Sequence, residues 1–289
     1  MRLQVLLLLT VASCSSAVVM AQTPGDLATA VEVFKRLGGK IEADKASPSQ
    51  TGLSVFCGGC REFDDKSVQL LKSIENVTWL DLSGSGITDV GLKELKGFKN
   101  LALLGLEDTM ITDAGLKEVS KLKSLITINL GRTSTTDVGL KELSELADLK
   151  CLNLTKTSIS DAGLKELAGL HKLELLSLNS TQITDAGLSE LQDLKSLSVL
   201  NLSRTKVTDM GLIELRHLDN LSRLDLAGTQ ITDEGLKNLA RFTQLKRIDV
   251  ASTKVTNDGL NLIKQAIPNL EVVSVRAKPQ GIDFAFVPE

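Results

Sequence analysis

Leu80, Leu104, Ile128, Leu152, Leu176, Leu200, Leu224 and Ile248 recur at an unbroken spacing of 24 residues, and Val273 follows after one extra residue. A constant period of this length means a solenoid, because one such unit cannot bury its apolar face alone and must be completed by its neighbours. An array grows by adding turns, so the length of 289 residues sets no domain count and reads most simply as one continuous domain. A solenoid also presents one long surface, which puts binding ahead of catalysis as the function to test.

Within a single unit the apolar period changes. Leu104-Gly105-Leu106 alternates, which predicts a short strand with both Leu inward and Gly105 outward. Glu107 to Ile111 then turn the chain, and Thr112 or Asp113 begins a helix. Thr is a favourable N-cap, and Asp in the first turn meets the positive end of the helix dipole. Leu116 and Val119 face inward, while Leu122 and Leu125 lead to the next strand. Only 3% of the chain is aromatic, with one Trp and no Tyr, so Leu has to fill the interior.

This pattern resembles the leucine-rich repeat family, in particular its cysteine-containing-like class with LxxLxLxx(C/N/T)x(I/L)TDxGLxxL. The likeness runs nearly unit for unit over residues 80–275, with a weaker turn at 53–71. It implies an α/β fold: a right-handed horseshoe solenoid with parallel strands on the concave face and helices on the convex face. Phrases such as TDVGLKEL are also similar to exported bacterial repeat proteins. The class's Cys or Asn position is held here by Ser85, Thr109, Thr133, Thr157, Thr181, Thr205, Thr229 and Thr253. Their hydroxyls are expected to satisfy backbone groups of adjacent turns that burial would leave unpaired. The Gly of each TDxGL, such as Gly115, is expected to permit close helix approach.

The ends divide as follows. Residues 1–21 combine Arg2, an apolar run from Leu3 and a small-residue stretch, the composition of an export signal. Cys14 has two readings: an incidental residue of that signal, or, through Val11-Ala12-Ser13-Cys14, a lipidation site and the chain's only route to a membrane. Residues 22–52 form an N-terminal cap, with an amphipathic helix from Asp26 to about Leu37 and a loop; residues 53–275 form the solenoid. Residues 276–289 form a C-terminal cap tail.

The net charge of −3 arises from 33 basic and 36 acidic residues spread along the chain, without the basic stripe that nucleic acid demands. No catalytic set, cofactor motif or metal cluster stands out. Cys57-Gly58-Gly59-Cys60 lacks the context of a redox pair and the further ligands of a zinc site. It reads as a loop inserted after a strand at Leu53 to Phe56, lengthening the turn by about three residues and closed by a Cys57–Cys60 disulfide. Cys151 should point outward as a tolerated small residue. His171 and His217 read as surface residues too far apart to share a metal.

Strand periodicity also names the outward residues. One column runs Asp81, Gly105, Asn129, Asn153, Ser177, Asn201, Asp225 and Asp249; the other runs Trp79, Leu103, Thr127, Cys151, Leu175, Val199, Arg223 and Arg247. Arg132, Lys156 and Arg204 stand beside them at the start of the loops. The expected function is a non-catalytic scaffold whose concave face takes a protein or peptide. Its candidate contacts are Asp81, Leu103, Asn129, Arg132, Asn153, Leu175, Ser177, Asn201, Arg223, Asp225, Arg247 and Asp249. The arginines at 223 and 247 rank first, since like charges on adjacent strands call for a counter-charge. The alternatives are a cell-envelope spacer without a discrete ligand and a carbohydrate module with Trp79 as its platform. Nothing in the chain identifies an oligomeric state.

Overall fold

The structure, a computed structural model, describes residues 27–43, 52–72 and 74–274, the side chains of residues 27–30 excepted. The expected export signal, Cys14, Asp26, most of the loop after Ala43 and the tail from Arg276 lie outside the described residues.

Eleven strands form one open sheet in chain order. They are β1 (Lys40–Ala43), β2 (Leu53–Phe56), β3 (Val77–Asp81), β4 (Leu103–Gly105), β5 (Thr127–Asn129) and β6 (Cys151–Asn153). The rest are β7 (Leu175–Ser177), β8 (Val199–Asn201), β9 (Arg223–Asp225), β10 (Arg247–Asp249) and β11 (Glu271–Val273). From β2 onward every neighbouring pair is parallel, and from β3 to β11 each strand residue faces the one 24 positions later, as in Leu104 against Ile128. The sequence period is thus the strand register, and it holds without the expected extra residue into β11, where Val272 and not Val273 faces Ile248 and packs against the core. β1, which alternation did not reveal, runs antiparallel to β2 and covers the first edge. That edge would otherwise offer unpaired backbone groups to another chain.

The helix Leu27–Arg36 closes the same end. Its Phe34 is fully buried and meets Phe63 edge to face at a centroid distance of 5.8 Å. Behind the sheet, the aliphatic columns of successive turns stack into one continuous core, with Leu80, Leu104, Ile128 and Leu152 essentially inaccessible. Burying each such Leu from water is worth about 1.5–3 kcal/mol, so the array's stability rests on this column.

The hydroxyl column is buried as expected but bonds differently. Thr109 Oγ1 donates to Leu106 O at 2.6 Å, and Thr133, Thr157, Thr181, Thr205, Thr229 and Thr253 repeat the bond. Each hydroxyl therefore staples its own turn three residues back instead of reaching the adjacent turn. Ser85 departs from the column, its buried Oγ having no partner.

Coupling between turns falls to the Thr-Asp pair. Thr112 caps the helix Asp113–Val119 by accepting the Ala114 N–H, as Thr was expected to. The Asp carboxylate, beyond its favourable place at the helix start, reaches into the next unit. Asp113 Oδ1 accepts the Thr136 N–H at 2.7 Å and Oδ2 accepts the Thr136 hydroxyl at 2.6 Å. The same double bond recurs from Asp65 to Thr88, Asp89 to Thr112 and onward to Asp233 and Thr256. At Asp233 the hydroxyl and amide of Thr256 hold the carboxyl below its ordinary range. This seam also explains the glycines. A Cβ at Gly139 would stand 2.4 Å from Asp113 Oδ1 and 2.8 Å from Leu116 Cδ1, and Gly115, Gly163 and Gly187 meet their preceding Asp in the same way.

Cys57-Gly58-Gly59-Cys60 is not an inserted loop. Val55 pairs with Leu80, so Cys57 takes the inward position that Leu82 holds one turn later, and it is fully buried. Cys60 donates its N–H to Cys57 O as Ser85 does to Leu82 O, which places it in the hydroxyl column. Asp64 bridges Gly86 as Thr88 bridges Met110. The first turn therefore holds one extra residue, between Cys60 and Asp64, and not three. The expected disulfide is not formed: both cysteines are free thiols. Cys57 packs into the core, while Cys60 Sγ sits against Gly38, where a Cβ would come within 3.0 Å of it. Burial, reinforced by Cys60 and Asp81, drives the Cys57 thiol far above its ordinary value, the reverse of what a reactive thiolate needs.

Candidate binding surface

The sheet face turned away from the core carries the two columns read from the sequence, and the structure divides it into regions of different character. At the N-terminal end Phe56 joins Trp79: the rings lie edge to face at 4.9 Å, both half-buried, with half-buried Leu103 paired to Trp79 across the sheet. Phe56 escaped the sequence reading because the strand LSVF is mostly apolar on both faces. The shifted register between Leu53 and Ser54 also hides which residue is outward.

The middle of the face is largely closed. Asn153 is 4% exposed and Ser177 1%, and Leu175, Asn201, Thr127 and Cys151 are buried as well. Cys151, expected outward and tolerated, lies outside the main core cluster yet has no accessible surface, and burial raises its thiol pKa. The amides face inward demands of their own. Asn153 Oδ1 accepts the Thr155 N–H at 2.9 Å and its Nδ2 donates to Asn129 Oδ1 at 2.8 Å; Asn129 in turn accepts from Gly131 N and donates to Glu107. Thr155 Oγ1 and Ser177 Oγ share a hydrogen bond at 3.0 Å, and Asn201 Oδ1 takes both the N–H and the hydroxyl of Ser203. Asn153, Leu175, Ser177 and Asn201 are therefore corrected from exposed contacts to buried residues, three of them holding the loops in shape. The signal for this role was present: a short amide or carboxylate two residues before a turn N–H is the Asx-turn arrangement.

At the C-terminal end the same acceptor role passes to carboxylates. Asp225 and Asp249 accept from the N–H groups of Ala227 and Ala251 at 3.0 and 2.9 Å, and Asp81 does the same for Ser83. Burial raises the Asp225 carboxyl above its ordinary range; the Ala227 amide and then Arg223 and Arg247 pull it back, while Asp249 adds to the rise. Arg247 finds its counter-charge in Glu271 on β11. Arg223 is half-buried and forms no ion pair among the described residues.

Arg132, Lys156 and Arg204 stand at the rim, all exposed. Arg132 Nε lies 3.7 Å from Glu107 Oε1, a loose exposed pair. Elsewhere on the molecule, Lys150 pairs with Glu174 at 2.8 Å beside a shallow polar groove lined by Ser198, Ser222, Asn220 and Lys246. His171 is exposed and His217 half-buried at the end of the turn Leu215–His217. Among the described residues no cluster of three or more His, Cys, Asp or Glu is arranged to hold a metal, and no helix is long and apolar enough to cross a membrane.

An open, in-register sheet backed by short helices, one turn per 24 residues, defines a leucine-rich solenoid. The leucine-rich repeat family model matches residues 75–96, 146–168, 169–191 and 217–240. The chain is thus a leucine-rich repeat solenoid in fold, with four of its turns matched by that family's model. Among solved structures it is similar to internalin C2 from Listeria monocytogenes, at 25% identity over 78% of this chain and 92% of that one, with a TM-score of 0.56. A plant peptide hormone receptor, RGFR1 in complex with RGF2, aligns at 18% identity over 72% of this chain and 34% of the receptor, with a TM-score of 0.48. A search of curated proteins found no match.

Proposed function

We propose that the chain is an exported, non-catalytic scaffold that holds a protein or peptide partner against the outer face of its sheet. The observation that carries this reading is the lack of repetition on that face. The inward Leu, the turn Thr, the bridging Asp and the small Gly recur almost unchanged in every unit, because each unit has the same packing need. The outward column does not: it passes from Trp79 and Leu103 through Thr127 and Cys151 to Arg223 and Arg247. Structural need does not explain such variation, and half-exposed aromatic and Arg side chains are the residue types that anchor interfaces. Export is supported by the composition of residues 1–21 alone.

The test is site-specific photo-crosslinking in the source cell envelope, with a benzophenone amino acid at position 79 or 223 and at the helix-side position 141 as the reference. Positions 79 and 223 are expected to trap the same polypeptide and position 141 to trap none. Crosslinks from 141 alone, or none from 79 and 223, would remove the outer face as the binding surface.

A further inference from the structure

The loops that follow the strands share one backbone constraint. The residue after the outer-face turn donates its N–H to the next unit's loop, as Arg132 does to Thr155 O at 2.7 Å and Arg204 to Ala227 O at 2.7 Å. To do so it adopts a left-handed conformation. Gly84 and Gly228 do this at φ 66° and 71°, without the steric cost that a Cβ brings. Arg132, Lys156 and Arg204 hold φ 56°, 56° and 55° at the equivalent positions. Long basic side chains are poor choices there on conformational grounds, since neither can make the local hydrogen bonds that let Asn or Asp tolerate the region. Asp108, Ser180 and Ser252 hold the same conformation at φ 56°, 57° and 60°, so the left-handed position belongs to every unit and only its side chain varies.

The charge around these cations, by contrast, is uneven. The outward residues of β5 to β8 are all neutral, and so are the loop residues 131, 155, 179, 180 and 203 that flank the three cations. Carboxylates resume on both sides, at Glu107 and Asp108 before Arg132 and at Asp225 after Arg204. On the opposite edge Glu174 is already paired with Lys150. Lys156 and Arg204 carry no ion pair among the described residues, and Arg132 has only its loose contact with Glu107. In a chain of net charge −3, this leaves a cationic window three strand spacings wide with negative charge at each end. At about 4.8 Å per strand the window spans roughly 14 Å, the reach of about four extended residues.

We propose that this rim binds a short, extended acidic segment of a protein partner, its carboxylates on Arg132, Lys156 and Arg204 and its ends held in register by the flanking Asp and Glu. The proposal rests on the reading of the chain as a protein-binding scaffold and names the chemistry that the partner brings. It also explains how a face closed at its centre can still engage a ligand: the middle contact is made at the rim, above the buried amides.

The experiment is fluorescence anisotropy with a labelled peptide of five consecutive Glu flanked by Gly-Ser, beside matched Gln and Lys peptides, at low and physiological salt. The Glu peptide should bind at least tenfold more tightly than either control and weaken as salt rises. The variant combining Arg132→Gly, Lys156→Gly and Arg204→Gly should lose at least tenfold in that affinity while melting no lower than the parent, because Gly relaxes each left-handed position. Replacing both arginines by Lys should keep most of the binding. Equal affinity for the Glu and Gln peptides, or unchanged binding by the triple Gly variant, would overturn the proposal. So would a heparin fragment that binds more tightly than the Glu peptide, since the ligand would then be a sulfated glycan. Crosslinks from positions 79 and 223 without Glu-peptide binding would sink the rim proposal alone; the converse would sink only the wider reading.

Discussion

The two faces of this solenoid set their recurring polar side chains to different tasks, one joining each turn to the next and the other closing a turn on itself. On the helix side a single device is copied: an Asp that bonds the next Thr through both its N–H and its hydroxyl, seated over a Gly that leaves room for it. On the sheet side the backbone ladder joins the turns, and a short polar residue instead closes its own loop two residues on, an Asn at 129, 153 and 201 and an Asp at 81, 225 and 249. The difference teaches where selection has room to act. A carboxylate with two donors and a Cβ-sized gap admits one solution, whereas a single turn N–H accepts several, so surface chemistry is free to vary on the sheet side without loosening the stack.

The core beneath both faces sets the scale against which they are compared. Leu152→Asp places a charge among fully buried aliphatic neighbours and should cost at least about 4 kcal/mol, enough to remove cooperative unfolding when followed by circular dichroism in urea. A small, still cooperative shift would mean that the turns are not energetically coupled. The next effect isolates the helix-side device. Gly139→Ala should cost about 1–3 kcal/mol by crowding Asp113 and Leu116. The same change in an Asp113→Ser background should cost clearly less, since the nearer clashing atoms are gone, and a double-mutant cycle in urea measures that coupling. Additive costs would show that the Gly serves helix approach in general and not the seam.

Much of this division could be read from the residues. The period of 24 became the strand register, and the Thr column and the helix start at Asp113 stand where the pattern put them. What escaped were partners rather than positions. Period and propensity say that Asp113 begins a helix, but not that its carboxylate crosses to Thr136, because that bond joins residues 23 apart in sequence. Outwardness misled in the same way. Alternation correctly turned Asn153 and Ser177 away from the core, yet neighbouring strands flank each of them and the loops claim their polar atoms, so a residue on a surface column became buried. Cys57 and Cys60 were read as a motif because two cysteines at that spacing attract notice; register shows them filling a Leu and a Thr position of an ordinary turn.

The sheet side offers the gentlest test of the comparison, at Asp225. Its Oδ1 accepts the same kind of turn N–H that Asn oxygens accept in β5, β6 and β8, so the hydrogen bond alone does not require a charge. The charge is instead a burden. Burial lifts the carboxyl above its ordinary range by more than Arg223 and Arg247 lower it, and Asp249 on the next strand adds repulsion. A carboxyl with a raised folded pKa binds its proton more tightly in the folded chain than in the unfolded one, where its pKa is about 3.9. Its contribution to stability is therefore most favourable at low pH and declines as pH rises through the folded value. Asp225→Asn should then stabilise the chain at pH 7 by up to about 1 kcal/mol. In urea unfolding that advantage should shrink as pH is lowered toward the range where Asp225 is itself neutral. A variant less stable than the parent at pH 7 would show that Arg223 depends on this carboxylate, and that charge on the sheet side is structural after all.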